Sequence, residues 1–235
     1  MQLFFIEDWS DNGIALSAEE ARHCVQVLRK KKGDEIFAVD GKGHFLHLRI
    51  RETGKKDLVI CDLLSVAENW HPLNYDLHLL VAPTKNTDRM EWLVEKVTEI
   101  GVSRITPVIC ERSERRQLRL DRLEKLMRAA MKQSLKAHLP ILDEPMVFRD
   151  CLGQKGDAGL RYIAHCDPGE KVSLTDNYTP GTSVKVWIGP EGDFSPEEVN
   201  LALQTGWQPL TLGSSRLRTE TAALVACCTI YQLNP

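Results

Sequence analysis

Two short stretches carry the residue types that could do chemistry. One is Gly189-Pro190-Glu191-Gly192; the other runs Leu212-Gly213-Ser214-Ser215-Arg216-Leu217-Arg218-Thr219-Glu220. Glycines let a backbone approach a ligand closely and adopt conformations that other residues resist, and Pro190 stiffens its turn. Each stretch follows an apolar run and leads into a helix, so each falls at the carboxyl end of a strand, where open parallel sheets bind ligands. Two readings fit this spacing: ordinary strand-to-helix turns, or the two lips of a ligand clasp. The second stretch puts Arg216 and Arg218 at a helix start, where the helix dipole disfavours cations. Their partner is then either an anionic or polar ligand or an intramolecular carboxylate, Glu191 or Glu220. Neither stretch is G-x-G-x-x-G or G-x-x-x-x-G-K-[ST], so phosphate cradles for NAD or ATP are poorly supported.

The elements that must position these turns follow from periodicity. From residue 76 onward strand and helix alternate. "DLHLLVA" reads as a strand, "TDRMEWLVEKVTEI" as an amphipathic helix closed by Gly101, and "RITPVIC" as a strand. "LDRLEKLMRAAMKQSLKA" reads as a long helix, and "LRYIAHC" and "VKVWIG" as strands. "SPEEVNLALQT" is a helix with Ser195 at the N-cap, Pro196 at N1 and Glu198 at N3. "PLTLG" is the last strand and "TETAALVACCTIYQL" the last helix. Such alternation implies an α/β domain with a largely parallel sheet. Residues 1–70 are β-rich. "LFFI" is a strand, a helix over "ARHCVQVLRK" is opened by a Ser17–Glu20 capping box and ended by Gly33, and a turn at Asp40-Gly41-Lys42-Gly43 joins two strand-like runs. That pattern suggests a small barrel. "NWHPLNY" is the linker, giving expected domains 1–70 and 74–235.

Composition narrows the class. The chain has 235 residues, 43% of them hydrophobic and 27% charged, which fits a globular protein with one large or two modest domains. No apolar run approaches the ~20 residues of a membrane helix, and "MQLFFIEDWS" lacks the basic start of a signal peptide, so a cytoplasmic location is expected. The seven cysteines form no C-x-x-C pair, which argues against zinc; reduced core thiols are expected. A net charge of −3 argues against coating nucleic acid by charge alone but leaves room for a local basic face. Arg112, Arg115, Arg116, Arg119, Arg122, Lys125 and Arg128 form one basic run; Arg22, Arg29, Lys30, Lys31 and Lys32 form another. Both read equally as solvated helix faces or as phosphate contacts.

"IGPEGDFSPEE", "LGSSRLRTETAA", "MEWLVEKVTEIGVSRITPV" and "ERSE" together resemble the RsmE family over nearly the whole chain. The resemblance implies a 16S ribosomal RNA methyltransferase that transfers a methyl group from S-adenosylmethionine to N3 of a uridine. It also implies a PUA-like N-terminal RNA-binding domain, a SPOUT-type sheet with a trefoil knot, and a homodimer acting on 16S rRNA or the 30S subunit, without metal and without a membrane. By position, Ile188, Gly189, Pro190, Glu191 and Gly192 would line one side of the cofactor and Leu212, Gly213, Leu217 and Arg218 the other, with Glu220 and Thr221 at the helix start. The sequence departs from the family in two places. Ser215 stands where the family has an arginine, with Arg216 one place later. Asp193 replaces the last glycine of GPEGG, a position expected to contact little.

The implied chemistry assigns roles. Methyl transfer is chiefly a positioning task, and removing the N3 proton leaves an anion that a cation beside the flanking carbonyls stabilises. Arg218 is the candidate for that cation. Glu191 or Glu220 would orient it or accept the proton, directly or through water. Arg216, Arg112, Arg115, Arg116, Arg22, Arg29 and Lys30 are the expected RNA contacts. Two rival readings remain, a SPOUT enzyme acting on transfer RNA and a non-catalytic RNA-binding protein; the intact glycines argue against the second.

Overall fold

The structure, a computed structural model, describes residues 1–10, 13–54, 58–152 and 159–235. Its contacts divide the chain into two compact units, Met1–Pro72 with Arg128–Leu139, and Leu73–Met127 with Pro140–Pro235.

In the first unit, β1 (Leu3–Phe5), β2 (Ile14–Ala15), β3 (Glu35–Val39), β4 (Phe45–Gly54) and β5 (Leu58–Ala67) form one sheet in the order β1-β3-β4-β5-β2. β3, β4 and β5 are antiparallel neighbours, and register shifts between His47/Leu48 and Ile50/Glu52 add local twist. Inward residues such as Leu46, Leu48 and Ile50 are buried while their sequence neighbours are less so, the period-two pattern of a sheet with one wet face. The Asp40 turn is held by its own carboxylate, which accepts from Lys42 N at 2.8 Å, His44 N at 3.1 Å and Trp9 Nε1 at 3.1 Å. Burial alone would raise the Asp40 pKa; these donors outweigh it and hold it below the usual carboxylate range.

Helix α1 (Ala18–Arg22) is shorter than expected, passing into a π-helical turn at His23–Val27. The Ser17 hydroxyl does accept from Glu20 N at 3.3 Å, but the capping box is not reciprocal. The Glu20 carboxylate instead accepts from Phe5 N at 3.1 Å and pairs with Lys132.

The second unit begins with β6 (Asp76–Val81), α2 (Thr87–Ile100), β7 (Arg104–Ile109) and α3 (Leu120–Gln133), which runs on into the first unit. It continues with β8 (Ile141–Leu142), β9 (Met146–Val147), α4 (Phe148–Leu152), β10 (Leu160–Ala164), β11 (Val172–Ser173), α5 (Leu174–Asn177), β12 (Ser183–Ile188), α6 (Pro196–Gln204), β13 (Gln208–Thr211) and α7 (Thr219–Leu233). The sheet is parallel in the order β11-β13-β10-β12-β6-β7-β8, with β9 also on β7. β6 and β7 are buried at every position after the first, as strands covered on both faces must be. α3 stops at Gln133 rather than continuing to Ala137: the Ser134 hydroxyl donates back to Ala130 O at 2.8 Å and Leu135 adopts φ 58°. The two-residue strands β2, β8, β9 and β11 are too short to show a period.

The core beneath β12 is aromatic. Phe148 stacks on Trp187 at 4.3 Å, and Phe194 meets Trp187 edge-on at 6.0 Å. Among the described residues no helix is long and apolar enough to cross a membrane and no group of three or more metal-ligating side chains occurs. Five of the seven cysteines are buried free thiols; Cys166 is exposed.

A polar network runs from buried His78 and Thr106 to the surface of this unit. His78 Nε2 lies 2.6 Å from Thr106 Oγ1, the Thr106 hydroxyl donates to Asp143, and Arg104 grips Asp143 with two bonds of 2.8 Å. Because the single hydroxyl proton goes to Asp143, His78 must carry its proton on Nε2. Burial, aided by Lys185 and Arg104, pushes the His78 pKa down to about 4, so the ring stays neutral where an unfolded chain would protonate near pH ~6.5. The unfolded state then binds more protons between these values, and stability falls as pH drops from about 6.5 towards 4. The slope approaches ~1.4 kcal/mol per pH unit. Denaturant unfolding at pH 7 and pH 5 should show this loss, and His78→Gln, though less stable at pH 7, should lose markedly less between the two. An equal loss in both proteins would remove His78 as the cause.

Candidate functional site

The strand order places the ends of β10, β12 and β13 side by side, because β10 pairs with both others. The chain leaving each strand there lines a cleft of about 600 Å³. One lip is Ile188, Gly189, Pro190, Glu191 and Asp193; the other runs Leu210 to Thr219, with Ala222; the floor between them is Ala164, His165 and Cys166, with Lys171.

The first lip is rigid for identifiable reasons. A Cβ on Gly189 would sit 3.0 Å from the Phe194 ring, so a side chain here fits only if that ring gives way by a few tenths of an ångström. The Thr219 hydroxyl donates to Gly189 O at 2.9 Å in a buried bond that joins the two lips. α6 starts with the expected capping box: Ser195 N donates to Glu198 Oε2 at 2.9 Å and Glu198 N to Ser195 Oγ at 3.4 Å. The second Glu198 oxygen accepts from Glu111 N at 2.8 Å. On the second lip Gly213 has φ +114° with nothing within 4 Å of the missing Cβ; here glycine is required by conformation, and the space above it is open.

Most of the residues singled out from the loops come together here. Ile188, Gly189, Pro190, Glu191, Leu212, Gly213, Leu217, Arg216 and Arg218 line the cleft, with both arginines exposed on its rim. Gly192, Glu220 and Thr221 are not among the lining residues. Gly192 faces Arg112, whose Cβ would be 3.3 Å from an added methyl group. Glu220 is buried, with Arg89 Nε 3.6 Å from one oxygen and the other without a partner. Glu191 accepts from Lys85 N at 2.9 Å, which ties the lip to the loop after β6.

The basic run behaves differently from a free phosphate-binding face. Arg112 donates to Gly192 O at 3.0 Å and Phe194 O at 3.2 Å, Arg115 donates twice to Lys85 O at 3.1 and 3.0 Å, and Arg116 donates to Glu111 O at 3.5 Å. In the first unit Arg22 and Arg29 are exposed, while Lys30 is half-buried and donates to Glu35 O at 3.1 Å.

Three cleft residues escaped the sequence reading. Asp193, expected to contact little, makes several contacts. It adopts φ 61° and its carboxylate accepts from Cys166 N at 2.7 Å and Phe194 N at 2.9 Å. The signal was there, since an aspartate replacing a glycine suits a left-handed position that few other side chains tolerate. His165 lines the cleft with both ring nitrogens buried and without partners; burial, reinforced by Lys171, lowers its pKa and keeps it neutral. Lys171 adds a cation to the rim. Nothing in the spacing marked the last two.

Known proteins bear on this geometry. A family model for an RNA methyltransferase domain matches residues 71–231, and one for an RNA methyltransferase PUA domain matches residues 16–61. The solved structure of a probable rRNA-methyltransferase from Porphyromonas gingivalis is 39% identical. It superposes with a TM-score of 0.93 over 100% of this chain and 98% of that one. A ribosomal RNA small subunit methyltransferase E from Neisseria gonorrhoeae, solved bound to S-adenosyl methionine, is 28% identical with a TM-score of 0.88 over 100% and 98% of the two chains. The protein of the same name from Aquifex aeolicus is 28% identical over 95% of this chain and 96% of its own. Both domain types match, in order and nearly end to end, and the chain belongs to the RsmE family of SPOUT-type RNA methyltransferases.

Proposed function

We propose that this enzyme methylates N3 of a uridine in 16S ribosomal RNA of the small ribosomal subunit, using S-adenosylmethionine held in the cleft at the ends of β10, β12 and β13. The observation that carries this reading is the cleft itself, with two glycine-bearing lips tied by the Thr219–Gly189 bond. The fit to the cosubstrate is good. A cleft of about 600 Å³ lies within the ~300–1,000 Å³ typical of small-molecule sites. Ile188, Leu212 and Leu217 supply apolar walls, and the open space over Gly213 admits a ligand against the backbone. Relatives named small subunit methyltransferase E support the RNA class, and such a substrate goes with a cytoplasmic location.

S-adenosylmethionine supplies a methyl group on a sulfonium for attack by an in-line nucleophile. The protein's residues have two further tasks, to favour the uracil N3 anion and to take its proton. Arg218 is assigned the first, since it lines the cleft, stands exposed as the N-cap residue of α7 and offers a permanently charged planar fork to a carbonyl. Glu191 is the better proton acceptor of the two carboxylates, with one oxygen on Lys85 N and its body in the cleft wall. Glu220 supports the start of α7 from beneath. Arg216, Arg22 and Arg29, all exposed, are assigned to phosphates; Arg112, Arg115 and Arg116 serve chiefly to hold loops. The active form is proposed to be a homodimer. α7 carries half-buried Leu224, Val225 and Cys228 besides its buried Ala223, Ala226, Cys227 and Ile230, and Tyr231 on α7 and Trp92 on α2 are 52% and 43% exposed, more apolar surface than a solvent-facing helix needs.

Three outcomes are expected. Labelled S-adenosylmethionine with separated ribosomal subunits or transfer RNA should mark small-subunit RNA at uridine N3; label in transfer RNA alone, or none, would reject the assignment. In single-turnover methylation at saturating RNA, Arg218→Ala should lose ~10²–10³ in rate with little change in cofactor affinity. Arg216→Ala should weaken RNA binding and flatten its salt dependence, and the reverse result would exchange the two roles. Sedimentation at micromolar concentration should give a dimer that Trp92→Glu with Tyr231→Glu weakens, whereas a wild-type monomer would refute the assembly.

A further inference from the structure

Asp193 makes contacts of two kinds. Within its own loop its N–H donates to Pro190 O at 2.9 Å and its Oδ1 accepts from Phe194 N at 2.9 Å. Across the cleft its Oδ2 accepts from Cys166 N at 2.7 Å. Cys166 follows the end of β10, and its neighbour His165 turns an unpartnered ring into the cleft wall. Arg112 anchors the same loop from the far side through Gly192 O and Phe194 O.

We propose that Asp193 is a positioning residue of the cofactor cleft: its carboxylate ties the loop after β12 to the chain after β10 and so sets the His165 imidazole against the nucleoside part of S-adenosylmethionine. The inference rests on the cofactor reading above. A neutral imidazole has one donor and one acceptor; both His165 nitrogens are buried in the wall and unpartnered, so the ring meets a ribose hydroxyl or an adenine edge by turning out of that wall as the ligand enters. The charged groups facing His165 are Lys171, Asp167 and Asp193; burial and Lys171 together keep the ring neutral. Lys171, on the same cleft, is the permanent cation left for the amino-acid end of the ligand. The bond to Cys166 N is charge-assisted, a stronger class than a neutral pair. It spans two loops that leave neighbouring strands, so without it His165 keeps its place in sequence but not its orientation.

The backbone permits a clean test. At φ 61° glycine and asparagine are tolerated while most side chains are strained. D193G therefore removes the tie without straining the turn, and D193N keeps one acceptor. Calorimetry of S-adenosylhomocysteine binding to the full chain is the readout, with ligand-free thermal melts alongside. D193G should bind about tenfold more weakly, ~1.4 kcal/mol, with D193N between it and the wild type. KM for S-adenosylmethionine should rise in parallel and kcat should fall by much less. H165A should weaken binding by a similar factor, and the D193G/H165A double variant should be about as weak as H165A alone, because one effect acts through the other. Affinity of D193G within twofold of the wild type, or two losses that multiply, would overturn the proposal. Should D193G fail to fold, D193N decides: undiminished affinity overturns the proposal and a several-fold loss supports it. A wild-type protein that does not bind the ligand rejects the cofactor reading itself, a result distinct from wild-type binding with D193G unaffected.

Discussion

The hydroxyl of Thr219 donating to the carbonyl of Gly189 is the contact on which the cleft depends. A single buried hydrogen bond contributes only about 0.5–1.5 kcal/mol net, so its importance is geometric. It fastens the first residue of α7 to the end of β12, and with it the preceding Arg218 on the rim. A side chain at position 189 would press on Phe194. Phe194 in turn cannot yield easily, being 2% exposed and wedged against Trp187 and Phe148. An aromatic core thus sets the position of a backbone carbonyl, and that carbonyl sets the position of a helix start.

The same residue type meets different fates around this core. Arg112 and Arg115 have carbonyls within reach and donate to them, which rivets the loops after β6 and β12 to the segment after β7. Arg216 and Arg218 lie on a loop opened by the left-handed Gly213 and stand in solvent at the cleft rim. Guanidinium groups satisfy whichever acceptors are fixed nearby; those left facing water remain available to a ligand. Carboxylates divide in the same way. Glu198 serves the capping box and Glu111 N together, Glu191 keeps an edge in the cleft, and Glu220 is covered.

Local signals located the elements well where they were strong. The helix over Thr87–Ile100 and the helix over Thr219–Leu233 begin and end where the periodicity and end signals put them, and Ser195 with Glu198 caps α6 as the S-x-x-E spacing implies. Agreement failed where a distant partner competed. Glu20 left its capping box for Phe5 N and Lys132, and α3 ended early at the turn containing Leu135.

What the sequence determined by itself was therefore the alternation of strand and helix, the two glycine-bearing turns at strand ends, and the wording of those turns that marks the family. Periodicity and turn chemistry act over a few residues and are written locally. Only the tertiary structure decided that β10 lies between β12 and β13, and that order brings His165 and Cys166 to the floor between the two turns. It also decided that Asp193 reaches Cys166, 27 positions away in sequence, that Arg112 faces Gly192 O and that Glu220 turns away from the cleft. The physical reason is that strand order arises from the packing of whole faces, and a polar side chain's role is fixed by the acceptors and donors which that packing brings within about 3 Å.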